Sequence, residues 1–271
     1  MKAIISHDID HITVWEHLFR DTIIPKYMTR MHIELLSGKI SLREYTLRWS
    51  DFFKNKWQNV DELITFNNIS GVPSSFFVAV NKGVGLNYSN EAALLWIDQM
   101  KSRRCEIALH GIEFDNLPLM KAEYDLFKEL TGNAQFGIRM HYVRNTGNTF
   151  QMLADTGYRY DSTEHAFKNP YKIGSMWEFP FQIMDGWIIE NYKPWQSLNL
   201  EQAKENTLRL IDKAHQENIQ YLGIDFHDRY FSNAFKTWLD WYMWLIDHLR
   251  KNNIAFVNFN QAILELEKGS Q

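Results

Sequence analysis

Short apolar runs alternate along this chain with longer stretches in which apolar positions recur every three or four residues. The first pattern suits a buried strand, the second one face of a helix. Residues 2–6 form the first apolar run, and the chain then enters the polar cluster His7-Asp8-Ile9-Asp10-His11. From about 12 to 67 the pattern is helical, interrupted by Pro25, with Trp49, Phe52, Phe53 and Trp57 marking one face. Beyond it, strands are predicted over 74–80, 106–109, 136–138, 159–160, 220–226 and 254–259. Helices are predicted over 89–102, 119–130, 149–155, 200–217 and 235–251, while 177–189 reads as less regular. Strands separated by helices of this length imply βαβ units and a parallel sheet. No repeat, low-complexity tract or linker divides the chain, so a single domain over 1–271 is expected, with 12–67 a helical insertion after the first strand.

The residues able to do chemistry stand where these strands end. Asp8 and Asp10, His110, Arg139, Asp161 and His227 each close a predicted strand, and in parallel α/β barrels that end is where active sites are built. Asp8 and Asp10 are two residues apart, so on a strand they face the same side with side chains roughly 6–7 Å apart. Carboxylates so close repel unless a cation or proton lies between them, which points to a metal. His7 and His11 face the other way on a regular strand. His110 is followed by Gly111, which permits a sharp turn. A histidine after a strand is by itself an ordinary hydrogen-bonded residue; beside an Asp pair it completes the donor set of Zn²⁺ and other late divalent ions. His227 is placed to protonate a leaving group, and Asp225, on the same face two residues earlier, could orient its ring. Arg139 could clamp a carboxylate base and keep it ionised, while Tyr142 or a backbone N–H faces an oxyanion. Spacing leaves the direction of His141 open.

In this order, the strand-end residues resemble the five motifs of the polysaccharide deacetylase family, the NodB-homology group of carbohydrate esterases. Ser6-His-Asp8-Ile-Asp10 looks like the first motif, Glu106-Ile-Ala-Leu-His110-Gly111 the second and Arg139-Met-His-Tyr142 the third. Gly157-Tyr-Arg-Tyr-Asp161-Ser-Thr163 resembles the fourth, and Ile224-Asp-Phe-His227 the fifth. Val72-Pro-Ser-Ser-Phe-Phe-Val78 is similar to the apolar second strand of these proteins. The resemblance covers nearly the whole chain except 12–67. It implies a distorted (β/α)7 barrel and metal-dependent removal of N- or O-acetyl groups from sugars. Asp8 would be the general base, Asp10 and His110 metal ligands, and His227 the catalytic acid. Arg139 would support the base, and Tyr142, Asp161 and Trp177 are the expected substrate-binding residues. The chain departs from the pattern at Phe114, where the second motif supplies a further histidine. Glu113, Asp115, His11 or His141 could stand in as third ligand, and His141, in the adjoining motif, is favoured. The ion expected is Zn²⁺, with Co²⁺ or Fe²⁺ as alternatives.

Composition narrows the picture. Aromatics make up 15% of the chain, including 10 Trp and 12 Tyr, enough to line a saccharide groove or a homo-oligomer contact as well as a core. A net charge of −4 leaves no electrostatic footprint for nucleic acid or an anionic membrane. The single cysteine, Cys105, excludes an internal disulfide and reads as a small core hydrophobe. No stretch approaches a membrane span and the first apolar run is short for a signal peptide, so a cytoplasmic protein acting on a saccharide or acetylated sugar intermediate is expected. Two other readings stay open: a carbohydrate-binding barrel that has lost its metal, and a glycosidase using two carboxylates.

Overall fold

The computed structural model describes residues 1–269. Strand β1 (Lys2–Ile9) is followed by helices α1 (Ile23–Leu36), α2 (Leu42–Phe53) and α3 (Val60–Ser70). Then come β2 (Ser75–Val78), α4 (Asn90–Ser102), β3 (Glu106–Gly111), α5 (Leu117–Thr131), β4 (Ile138–Met140), α6 (Thr149–Thr156) and β5 (Tyr160–Asp161). The stretch read as less regular holds β7 (Met176–Glu178), β8 (Ile183–Met184) and α7 (Asp185–Glu190), after a short β6 (Tyr171–Ile173). Helix α8 (Leu200–Gln216), β9 (Tyr221–Asp225), α9 (Lys236–Lys251), β10 (Ala255–Val257) and α10 (Phe259–Gly269) complete the chain. Local chemistry sets the boundaries. Ser41 and Glu44 form a reciprocal capping box on α2, as Asn199 and Gln202 do on α8. Pro25 does not break the insertion, because it sits in the first turn of α1, where its missing N–H costs no hydrogen bond.

Parallel strands run side by side in the order β5-β4-β3-β2-β1-β9-β8, and β7 pairs with β5. The segment 176–184 is one bent strand that serves both ends of this ladder. Phe179 N–H donates to Asp161 O (2.8 Å) and Phe181 N–H to Glu164 O (3.0 Å). Gln182 N–H then donates to Gly223 O (2.9 Å) on β9. Counting 176–184 once, seven strand positions follow one another round a (β/α)7 barrel. β6 adds an antiparallel ribbon to β7, and β10 pairs with the first residues of β1 below the point where β2 takes over.

Period-two alternation sorts each strand's residues into the barrel or toward the helices. Ile4, Ala108, Tyr160, Phe179 and Tyr221 fill the lower interior with Phe77, and Phe259 of α10 plugs it from beneath. Two residues further along the same faces come Ser6, His110 and Gly223, and then Asp8 and Asp225, so the interior turns polar toward the C-terminal ends of the strands. Trp177 belongs to the lower, apolar layer. Cys105 lies just before β3, half-buried against the outer core, where burial pushes its thiol up to about 11.

The 12–67 insertion is bolted to the barrel through a buried carboxylate. Glu34 is fully enclosed and accepts from Arg30 Nε (2.8 Å), Gln196 N–H (2.6 Å) and Arg48. Arg48 in turn donates to Ala234 O at 2.8 Å. Such a buried charge is tolerable only because each partner is present.

Gly223 packs against the backbone of the neighbouring 176–184 segment. A Cβ there would stand 2.8 Å from Phe181 Cα and 3.1 Å from Pro180 O, backbone atoms that hydrogen bonds hold on both sides. Gly223→Ala is therefore expected to destabilise the fold by about 1–3 kcal/mol, the usual cost of overpacking. Thermal unfolding followed by circular dichroism checks this; an unchanged midpoint would mean that the 176–184 segment is free to shift.

Candidate active site

The C-terminal ends of the strands converge on one cavity of about 780 Å³. Asp8, Asp10, His110, His141 and His227 line its floor. Helix α1 supplies one wall through Ile23, Lys26 and Arg30, so the insertion shapes the site directly. Tyr142, Trp187, Trp195, Tyr230 and Phe235 line the rest. Part of the aromatic excess faces this cavity; Trp238 and Trp241 belong to the core.

Arg139 organises the floor. Its guanidinium is buried and donates to Asp8 Oδ1 (2.9 Å), Asp225 Oδ1 (2.8 Å), Ser6 Oγ (2.8 Å), Ser162 Oγ (3.1 Å) and Ser162 O (2.9 Å). Burial works to raise the pKa of Asp8, but Arg139, His110 and His227 outweigh it and hold this carboxyl below its usual value. Asp225 is pushed up to about 7, by burial and by the charge on Asp8. One guanidinium between two carboxylates thus leaves Asp8 the more acidic.

Above this pair, three donors meet. Asp10 Oδ1 lies 3.2 Å from His110 Nε2 and 3.4 Å from His141 Nδ1, and the two ring nitrogens are 2.9 Å apart. The far nitrogens of both rings face backbone carbonyls, His110 Nδ1 to Arg139 O (3.1 Å) and His141 Nε2 to Val84 O (3.2 Å). A carbonyl only accepts, so those nitrogens carry protons and the facing ones present lone pairs. Asp10 Oδ1 is buried without a hydrogen-bond partner. Lone pairs aimed at one point require a shared cation. A proton can play that part: burial disfavours charge on His110, but Asp8 and Asp10 outweigh it and its pKa is raised. A divalent ion fits the same donors, two imidazoles and a carboxylate within 4.8 Å of one another and opening on the cavity.

His227 stands opposite, with Nε2 3.6 Å from Asp10 Oδ2. Its Nδ1 donates to Asp185 Oδ1 (2.8 Å), and its backbone N–H donates to Asp185 Oδ2 (2.8 Å). Burial lowers the pKa of His227, yet the Asp185 carboxylate outweighs it and holds it well above the usual histidine value. The residue that orients His227 is thus Asp185 rather than Asp225, whose carboxylate is 3.9 Å from the ring and is taken up by Arg139. Asp185 escaped the sequence reading because it follows the two-residue strand β8, too short to register as a period. Tyr88 escaped it too: its hydroxyl donates to Ile9 O (2.8 Å) and accepts from Ala79 N–H (2.7 Å), fixing the strand end between the two acids.

Other expected residues are placed differently. Asp161 is fully buried and does not line the cavity; it accepts from Thr163 Oγ1 (2.6 Å), which itself accepts from Met140 N–H (2.9 Å). Burial raises both Asp161, to about 6, and its neighbour Glu178. Asp161 therefore steadies the strand end from which His141 projects. Trp177 packs beneath the site and cannot reach a ligand in the cavity. Phe114 packs outward under Arg144, and Glu113 and Asp115 do not line the cavity, leaving His141 beside the ligand pair. His7 faces away, with Nδ1 donating to Phe226 O (2.7 Å) and Nε2 accepting from Asn67 Nδ2 (2.9 Å). The His165 ring lies tilted against Trp187, 4.3 Å between centroids.

No family model and no curated protein matches this chain. Solved structures do. A candidate polysaccharide deacetylase from Mycobacterium smegmatis superposes with a TM-score of 0.64 at 15% identity, over 99% of this chain and 90% of that one. Another from Pseudomonas aeruginosa PAO1 gives 0.57 at 17% identity, over 76% and 71%. Puue allantoinase gives 0.56 at 16% identity, over 75% and 70%. Together with the strand order, these likenesses establish that the chain has the distorted α/β-barrel fold of the polysaccharide deacetylases.

Proposed function

We propose that this chain is a metal-dependent hydrolase that removes an acetyl group from an acetylated sugar. The observation that carries the reading is the convergence of Asp10, His110 and His141, with Asp8 on one side and His227 on the other. The likeness to solved deacetylases supports it at the level of fold. Asp10, His110 and His141 would hold the ion, and when bound it supplies Lewis-acid polarisation of an acyl carbonyl and an acidified water. Asp8, paired with Arg139, accepts the proton of the attacking water. His227, steadied by Asp185, presents Nε2 to the cavity and delivers a proton to the departing nitrogen or oxygen. Water adds to the acyl carbon, the C–N or C–O bond breaks, and acetate and the free sugar amine or hydroxyl leave. The aromatic walls suit the apolar faces of sugar rings.

The glycosidase reading fits less well. Its two carboxylates would flank a scissile bond with room for a sugar between them, whereas Asp8 is bound to Arg139 and Asp10 faces three histidines. A metal-free binding barrel would have no need of paired imidazole lone pairs held by backbone carbonyls.

The test is acetate release from acetylated amino-sugar oligomers by protein reconstituted with Zn²⁺ or Co²⁺. Turnover should disappear with a strong chelator and return with the ion, and His110→Ala should remove one equivalent of bound metal together with the activity. Sugar-chain cleavage that persists in chelator would favour the glycosidase, and binding without turnover the metal-free barrel. Asp185→Asn should keep one hydrogen bond to His227 yet lose the anion that orients it. A fall in kcat of roughly 10²–10⁴-fold is expected, the usual range for general acid–base catalysis, with little change in KM. Steady-state kinetics decide; an unaltered kcat would remove His227 from the proton path.

A further inference from the structure

The loop that leaves Asp10 carries a second group of donors that the acetyl-removing chemistry does not use. His11, Glu16 and His17 each bring one ligand atom within 4.8 Å of the others. His17 is 1% exposed, and its Nδ1 donates to Asp21 Oδ2 at 2.8 Å. That hydrogen bond leaves Nε2 as the lone-pair nitrogen, 3.2 Å from Glu16 Oε1. Nε2 of His17 and Nδ1 of His11 are both buried without a hydrogen-bond partner. The two rings meet edge to face, 4.7 Å between centroids, and Trp57 packs against both.

The surroundings hold these donors still. Glu16 Oε1 accepts from Ile12 N–H (3.0 Å), and Oε2 accepts from Thr13 N–H (2.9 Å) and Thr13 Oγ1 (3.1 Å). Oε1 keeps a lone pair free on the side of His17. Asp21, behind His17, is itself fixed by Ile23 N–H (2.8 Å) and by Asn87 Nδ2. Two imidazoles and a carboxylate, one imidazole backed by a second carboxylate, match the donor set and outer support of a zinc-class ion. His11 lines the large cavity, which offers an ion a way in.

We propose that His11, Glu16 and His17 bind a second divalent transition-metal ion, sharing no ligand with Asp10, His110 and His141. The ion staples the 11–21 segment onto the end of β1 and so fixes the approach to α1, which walls the cavity. The proposal stands apart from the acetyl-removing reading, because neither its donors nor its test require turnover.

The experiment is a metal count. Chelator-stripped protein is loaded with Co²⁺, and separately with Zn²⁺, then desalted and measured by plasma mass spectrometry. Wild type should retain two equivalents, His17→Ala one, His110→Ala one, and the double variant none. Should His17→Ala fail to fold, as judged by circular dichroism, Glu16→Gln serves instead: it preserves shape and one accepting oxygen while removing the charge, and should weaken the second equivalent roughly tenfold or more. A wild type that binds one equivalent, kept in His17→Ala and lost in His110→Ala, would overturn the proposal. Two equivalents in His17→Ala or unweakened binding in Glu16→Gln would overturn it as well. One wild-type equivalent, lost in His17→Ala and kept in His110→Ala, would instead support this site and remove the other.

Discussion

The Arg139 guanidinium is the interaction on which the rest of this molecule depends. Planted in the middle of a barrel, it reaches Ser6 and Asp8 of β1, Ser162 beyond β5 and Asp225 of β9. It lies over the Phe77 ring, 4.3 Å from its centroid. A buried cation is costly unless it is paired and hydrogen-bonded; here every arm of the fork is used. The same contacts shape the floor: Arg139, with His110 and His227, holds Asp8 below its usual value, while burial and the charge on Asp8 raise Asp225. Packing and the charge balance of the floor rest on one residue, which lies at the boundary between the apolar plug and the polar mouth.

Above that boundary, precision comes from the backbone rather than from further side chains. The carbonyls of Arg139 and Val84 each capture one histidine nitrogen and so decide which nitrogen of each ring faces Asp10. Strand β4 contributes twice, through the Arg139 carbonyl and through His141, which follows it directly. Position 114 holds phenylalanine, and the residue two positions after Arg139 arrives from the adjacent strand, its Nδ1 within 2.9 Å of His110 Nε2. The buried Asp161–Thr163 pair holds the amide of Met140, and with it the approach to His141, from behind.

The helical insertion adds the third element. A seven-strand barrel presents a shallow mouth, and α1 turns it into a cavity by standing along one side. Its position is fixed by Glu34 and its two arginines, a buried charge cluster that holds only when complete, and by the loop from His11 to Asp21, which is dense with polar contacts. The wall that would meet a substrate is thus anchored through charges, whereas Trp187, Trp195, Tyr230 and Phe235 make other parts of the lining aromatic.

The sequence by itself determined the fold class and most of the site. Alternating apolar periods fixed the strands and helices, and each of Asp8, Asp10, His110, Arg139 and His227 was visible because it closes a recognisable strand. Only the tertiary structure could assign partners. Asp185 and Asp225 are both aspartates at strand ends, and the choice of Asp185 for His227 follows from Arg139 having already claimed Asp225. Asp161 and Trp177 were expected to bind substrate, yet Asp161 is buried and accepts from Thr163, and Trp177 packs in the lower apolar layer. His141 had no readable direction, since it lies just past β4, where Tyr142 turns to a positive φ of 58° and period two no longer holds. Pattern reports which face of an element is apolar; which polar groups meet, and which are spent on one another, depends on contacts between residues far apart in the chain, which no local period encodes.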